Sequence, residues 1–206
     1  MKGILFTGGH GPEKRFIESF LAEADRVIAA DSGADLAASF GIMPDIIVGD
    51  MDSLSDKTVL RSSPKEKVMI FNSDKDETDT EIALRLLHEN GCSEITIVGG
   101  GGGRLDHLIA ILYLFEREIY PLRWITHDEV VVCIDATLEL EVKKGERVSF
   151  FPIGKDKCTM KTRGLKWPLD GLQWQRGDFG ISNICTEERL SVTMQSGRII
   201  LIRALY

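Results

Sequence analysis

The stretch PDIIVGDMDS, residues 44–53, decides how the first half of this chain is read. Its apolar run, Ile46-Ile47-Val48, has the length and composition of a buried strand. It ends in Gly49 and then in two aspartates one residue apart, Asp50 and Asp52. Finishing a strand in two like charges is costly unless a cation or a shared proton relieves them. In extended backbone, residues two apart point the same way, so Asp50 and Asp52 converge on one point, with Gly49 letting the chain bend. Alone, such a D-x-D reads as a turn with Asp as a cap, because Ser53-Leu54-Ser55 also suits the start of a short helix. The surroundings reverse that preference.

Working outward, short β-like runs lie at Gly3–Thr7, Arg26–Ala30, Ile46–Gly49, Val68–Asn72 and Ile95–Gly99. Helix-like segments fall between and after them, around Pro12–Glu23, Ala34–Phe40, Asp79–Asn90 and Arg104–Glu118. Strands that alternate with helices and are continuously apolar predict a mainly parallel sheet covered on both faces. Thr78 to Glu81, TDTE, is a capping box that opens one helix, and Asn90-Gly91 closes it.

In an open parallel sheet, ligands bind beyond the carboxyl ends of the strands. This sequence places DSGAD (Asp31 to Asp35), GDMDS, NSDKDETD (ending in Asp79) and GGGGGRLDH (Gly99 to His107) at four such ends. Acids converging with GDMDS favour a divalent ion, and Mg²⁺ prefers a few carboxylates with water and phosphate oxygens. Asp79 alone reads as a helix-dipole partner. Lys75, between Asp74 and Asp76, reads equally as a phosphate contact or a solvated charge. The glycine run before a helix suits an anion cradle, although no Gly-Lys-Ser/Thr follows as a Walker A requires. Arg104 offers fork geometry to a phosphate. Asp106 would hold that arginine, bind metal or accept a proton, and the plain alternative is a helix-start salt bridge. The histidines are scattered and none is assigned to catalysis.

From about Leu122 the character changes. Runs at Val130–Ile134, Thr137–Val142, Arg147–Pro152, Cys158–Thr162, Leu190–Met194 and Ile199–Ile202 are separated by turn signals such as Lys144-Gly145 and Ser196-Gly197. They predict an all-β second domain, sandwich or barrel-like, with the boundary near Tyr120-Pro121. The reading is therefore an α/β catalytic domain over residues 1–121 and a β-sandwich over 122–206. Within the second, GLKWPL (Gly164 to Leu169) and FGISN (Phe179 to Asn183) would make a wall for a flat heterocycle, or only core or surface aromatics and a turn.

A net charge of −7 over 206 residues argues against a nucleic-acid or anionic-membrane surface, which needs a basic footprint. The four cysteines are far apart and show no metal-ligand spacing. The start has too short an apolar stretch for a signal peptide, and no run approaches membrane-spanning length. A cytoplasmic location is expected.

Taken together, AADSGADLA, PDIIVGDMDSL, DKDETDTEIAL, GGGGGRLDHLIA, GLKWPL and GISN resemble the thiamin pyrophosphokinase family in order and rough spacing, over essentially the whole chain. The resemblance implies an N-terminal nucleotide-binding α/β domain and a C-terminal β-sandwich that binds thiamin and dimerises. It implies a homodimer with active sites in clefts between subunits, and the reaction ATP + thiamin → AMP + thiamin diphosphate. Asp50, Asp52 and Asp79 would hold Mg²⁺ on the triphosphate. Arg104 and Asp106 would line the transferring group. Asp31, Ser32, Gly33, Lys75, Asp76, Thr78, Gly102 and Gly103 would serve the nucleotide. Ser182 and Asn183 would face the thiamin ring, with Trp167 beside them. Lys75 departs from the family, standing where some members have Gln, and Pro168 to Gly180 differs from the family pattern. The competing readings are a diphosphokinase for another hydroxymethyl heterocycle such as a pterin, a D-x-D sugar-nucleotide transferase, and a thiamin- or nucleotide-sensing module without turnover.

Overall fold

The computed structural model describes residues 1–50, 67–72 and 74–205. The chain forms two compact units. One comprises Met1–Leu114 and Glu118–Asp128, the other Phe115–Arg117 and Glu129–Tyr206.

In the first unit, β1 (Lys2–Phe6), β2 (Arg26–Ala30), β3 (Ile46–Gly49), β4 (Val68–Ile70), β5 (Glu94–Val98) and β6 (Arg123–Ile125) form a parallel sheet. Their order is β6-β5-β1-β2-β3-β4. Successive residues are buried along the central strands, including Ile4, Leu5 and Phe6 of β1 and Ile97 and Val98 of β5. Unbroken burial of this kind means that both faces of the sheet are covered, which is why these strands lack polar alternation. The helices are α1 (Glu18–Glu23), α2 (Gly33–Ser39), α3 (Asp79–Glu89) and α4 (Leu105–Leu114).

Helix α3 buries Ile82, Ala83, Leu84 and Leu87, and its predicted capping box is present. Glu81 N–H donates to Thr78 Oγ1 at 3.2 Å, and Thr78 N–H donates to Glu81 Oε2 at 2.6 Å. The segment expected as one helix over Pro12–Glu23 is instead a 3₁₀ turn, Lys14–Phe16, followed by α1. The break falls at Ile17, which ends the 3₁₀ turn and begins α1 as its N-cap and whose side chain is fully buried. Strand β6 was not foreseen. It pairs in parallel with β5, so Arg123–Ile125 belongs with the first unit although the sequence boundary set it in the second.

The second unit contains β7 (Glu129–Ile134), β8 (Thr137–Glu141), β9 (Arg147–Ile153), β10 (Thr159–Arg163), β11 (Gly180–Ile184), β12 (Arg189–Ser196) and β13 (Arg198–Ala204). The strands run antiparallel in two layers, β11-β9-β13-β7 and β10-β12-β8. Inward residues alternate, for example Leu190 and Val192 on β12, as half-buried sheets require. Phe150, Met160, Leu190, Val192, Ile199 and Leu201 share one core with Cys158 and Cys185. The α/β-plus-sandwich reading is borne out. Strand β11 escaped it because its register slips between Gly180 and Asn183 and its sequence reads as a turn.

Candidate functional site

The carboxyl ends of the parallel strands carry the polar groups of the first unit. After β2, Asp31 adopts φ +47°, a left-handed conformation that costs an L-residue about 1–2 kcal/mol but that Asp tolerates better than most. Its N–H donates to Val48 O at 2.7 Å, and its carbonyl accepts from Ala34 N at 2.9 Å. This turn fixes Asp31 against the end of β3. There Gly49 has φ +151°, and a Cβ on it would lie 3.1 Å from the Asp31 Cβ. Glycine is therefore needed for Asp31 and the chain leading to Asp50 to approach each other. Asp79 is the first residue of α3, set by the Thr78 cap, and the neighbouring Thr80 hydroxyl lies 2.9 Å from Thr7 Oγ1 at the end of β1.

The outcome is a cluster. One carboxylate oxygen from each of Asp31, Asp50 and Asp79 lies within 4.8 Å of the others, and all three residues are half-buried. Three hard oxygen donors this close repel one another and suit a small divalent ion such as Mg²⁺. Asp79 Oδ1 is buried and accepts no hydrogen bond from a described residue. The Lys75 ammonium stands 3.0 Å from it as an ion pair. Of the metal ligands expected from sequence, the structure gathers Asp50 and Asp79, while Asp52 lies outside the described residues. Asp31, expected as a nucleotide contact, joins the cluster. The sequence signal for it was the shared position at a strand end; its left-handed backbone was not readable.

The glycine loop is locked to the β1 loop. Gly100 N–H donates to Gly8 O at 2.8 Å, His10 N–H to Gly101 O at 2.7 Å, and Gly101 N–H to His10 O at 3.0 Å. Trp124 Nε1 donates to Gly99 O at 2.8 Å. A Cβ on Gly101 would sit 2.4 Å from His127 Nδ1, and one on Gly102 2.5 Å from His10 Nδ1. Two of the five glycines thus make room for imidazoles, whose rings meet edge to face at 5.6 Å. A Cβ on Gly103 would meet only Gly101 O, at an ordinary 3.8 Å, and the residue is exposed. Sequence reading missed His10 and His127, since nothing in their spacing brings residues 10 and 127 together.

Arg104 and Asp106 are both exposed and form a forked pair, with Arg104 Nε donating to Asp106 Oδ1 at 3.1 Å and Nη2 to Oδ2. The hydrogen bond from Arg104 is the chief cause that holds the Asp106 carboxyl below the usual carboxylate range. Gly33 packs against β1, where a Cβ would meet Phe6 O at 2.2 Å, and a Cβ on Gly8 would meet Ser32 Oγ at 2.2 Å. Thr78 spends its hydroxyl on the cap, and Asp76 is exposed.

In the second unit, Asn183 is buried, and its amide is committed to the backbone. Its Oδ1 accepts from Trp167 N at 3.2 Å and from Ile184 N at 2.8 Å, while Nδ2 donates to Trp167 O at 2.7 Å. It clamps the Trp167 segment to β11. Ser182 is exposed with φ +57°, and its N–H donates to Ser149 Oγ at 3.1 Å. Trp167 is half exposed, with the Lys166 ammonium 4.5 Å from its ring centroid. Phe179 and Ile181, not singled out from sequence as site residues, are also exposed. Ile181 lies in β11, and Phe179, which precedes it, stacks on Phe151 at 6.1 Å.

Comparison with known proteins follows this division. Residues 17–121 match the family model described as thiamin pyrophosphokinase, catalytic domain. Residues 135–199 match the one described as thiamin pyrophosphokinase, vitamin B1 binding domain. The chain is 28% identical over 214 residues to a thiamine pyrophosphokinase of Bacillus subtilis, covering 99% of both. The solved structure of thiamine pyrophosphokinase from Bacillus subtilis superposes with a TM-score of 0.81 at 25% identity, covering both chains fully. A thiamin pyrophosphokinase family protein from Enterococcus faecalis shares the fold, with a TM-score of 0.80 at 23% identity and full coverage of both chains.

Proposed function

The chain belongs to the thiamin pyrophosphokinase family, and we propose that it transfers the pyrophosphoryl group of ATP to the hydroxyl of thiamin, giving thiamin diphosphate and AMP. The observation that carries this reading is the Asp31–Asp50–Asp79 cluster at the strand ends of a parallel sheet.

The reaction joins the thiamin hydroxyl oxygen to the β-phosphorus of ATP and breaks the bond between that phosphorus and the bridging oxygen, which leaves with AMP. Such transfers need charge neutralisation and positioning more than covalent catalysis. In this proposal Asp31, Asp50 and Asp79 hold Mg²⁺, joined by Asp52 on the sequence pattern. The ion supplies charge neutralisation at the phosphate oxygens. Ser32, Gly33, Lys75, Asp76, Thr78, Gly102 and Gly103 border the nucleotide, several of them as backbone or as positioning groups. Arg104, exposed and always charged, grips the transferring phosphates, and its pairing orients Asp106 towards the thiamin hydroxyl. Asp106 is ionised at neutral pH like any ordinary aspartate, and the hydrogen bond from Arg104 holds its carboxyl lower still, which makes it a weak base that takes the proton late in the transfer. Trp167 and Ser182 meet the thiamin ring, and Asn183 sets the backbone that presents them.

Two further parts of the proposal have supports of their own. A homodimer would cover the exposed Leu105, Ile109, Leu112 and Tyr113 of α4, which recur at helical spacing. A cytoplasmic location agrees with four buried, unbridged cysteines. Among the described residues, no helix is long and apolar enough to cross a membrane. The test is AMP release that requires both thiamin and Mg²⁺. Release with a hydroxymethylpterin in place of thiamin would reassign the acceptor. Tight thiamin binding without any AMP would make the protein a sensor.

A further inference from the structure

We infer that Lys75 is a tethered counter-ion of the carboxylate cluster, holding down its affinity for free divalent metal so that the ion is taken up together with the nucleotide. The inference deepens the function proposed above and rests on the cluster being the metal site. Lys75 Nζ lies 3.0 Å from Asp79 Oδ1, and the two side chains are only 18% and 22% exposed. This sets the pair apart from the surface pair Arg104–Asp106, which is 72% and 61% exposed. Shielded charges interact far more strongly than solvated ones, because neither water nor salt screens them fully. The ammonium is also held by its own loop, donating to Asn72 O at 3.2 Å. The ammonium is therefore placed by two contacts, one to the carboxylate and one to backbone.

The consequence is electrostatic. A free divalent ion entering the cluster is drawn by three carboxylates and repelled by an ammonium seated on one of them. A metal–triphosphate complex carries net negative charge, so the same ammonium attracts it and gains phosphate oxygens as new acceptors. Lys75 therefore penalises the bare ion and favours the nucleotide-bound one. A glutamine at this position could still donate to Asp79 and to Asn72 O, but it would lack the charge. A purely structural lysine, stapling the loop to the start of α3, predicts something different. Its loss would lower stability and leave metal affinity alone.

The experiment titrates Mn²⁺, as a calorimetric stand-in for Mg²⁺, into nucleotide-free wild-type, Lys75→Gln and Lys75→Arg proteins, with thermal melts to confirm folding. The expected result is that Lys75→Gln binds Mn²⁺ about fivefold tighter than wild type, on the scale of one removed shielded charge, while Lys75→Arg stays near wild type. In turnover, Lys75→Gln should raise KM for ATP and leave KM for thiamin unchanged. Equal or weaker Mn²⁺ binding by Lys75→Gln overturns the inference, as does a failure of both proteins to bind Mn²⁺ without nucleotide. The underlying metal site is judged separately. If Asp50→Asn retains wild-type Mn²⁺ binding and Mg²⁺-dependent AMP release, the cluster itself is misassigned.

Discussion

Two shielded cation–carboxylate pairs sit in the two units, and they are built for different ends. In the sandwich, Glu146 Oε1 and Arg203 Nε approach to 2.7 Å, with side chains 0% and 18% exposed. Each is tied further to backbone: Lys143 N–H donates to Glu146 Oε2 at 2.8 Å, and Arg203 Nη1 donates to Glu141 O at 3.1 Å. One carboxylate meets one guanidinium as an ion pair, and the hydrogen bonds to backbone are made by two other atoms, Oε2 and Nη1. In the α/β unit, Lys75 meets Asp79, which is itself one of three carboxylates packed within 4.8 Å. The first pair completes a structure. The second leaves negative charge concentrated where a ligand would complete it. A buried pair matched one to one is therefore read as architecture, and a carboxylate crowded by other carboxylates as a site.

The sharpest way to break this contrast is to remove one carboxylate from the cluster. Asp50→Asn keeps shape and relieves repulsion, so its melting temperature should equal or exceed that of wild type. Its kcat/KM in an AMP-release assay should fall by about 10³-fold, equivalent to about 4 kcal/mol of transition-state stabilisation. Activity near wild type would remove the cluster from the chemistry and dissolve the comparison.

The matched pair predicts the reverse pattern. Glu146→Gln leaves Arg203 shielded without its counter-charge and should destabilise the fold by about 3 kcal/mol, read by urea unfolding. Turnover per folded molecule should change by less than about twofold, because a group outside the site alters activity mainly through the folded fraction. A stable Glu146→Gln protein with poor turnover would show that the sandwich pair is part of the site after all.

How much of this was visible in the sequence depends on which physical signal each residue carried. The central strands were legible because burial on both faces writes unbroken apolar runs, and α3 because its cap and its apolar spacing are local. Strand β6 was not, being three residues long, nor was β11, whose register is irregular. The site divided in the same way. Strand-end acids could be placed on one edge from topology alone, which brought Asp50 and Asp79 together. The inclusion of Asp31 depends on a left-handed backbone and on Gly49, where any side chain would crowd Asp31, neither of which has a sequence period. Asn183 shows the opposite error. Its residue type suggested a ligand contact, but its burial turns the amide inward as a clamp. Gly99 to Gly103 read as an anion cradle; that Gly101 and Gly102 also make room for His127 and His10 has no signal in the sequence.

Asn183 sharpens the comparison from the sandwich side. Its amide makes three bonds to the backbone around Trp167 and Ile184. Asn183→Ala should cost about 2 kcal/mol, because buried backbone groups lose their partners. If the clamp presents Trp167 to thiamin, the same variant should raise KM for thiamin about tenfold and leave KM for ATP unchanged, about 1.4 kcal/mol of lost positioning. Equal increases in both constants would make Asn183 a general stabiliser only.

The smallest effect tests whether Thr78 is a ligand or a cap. Its hydroxyl accepts from Glu81 N–H, and the Glu81 side chain returns the bond to Thr78 N–H. Because Asp79 follows directly, the cap sets the direction from which that carboxylate enters the cluster. Thr78→Ala should lower stability by about 1 kcal/mol, the usual worth of such a cap. Thr78→Ser, which keeps the acceptor oxygen, should restore it. If Thr78 acts only through the cap, Ser must also restore kcat, and the pH dependence of turnover must match wild type in both variants. A defect that Ser fails to rescue would assign the threonine methyl a contact of its own with the nucleotide. The boundary between architecture and site would then run one residue earlier in α3 than the hydrogen bonds place it.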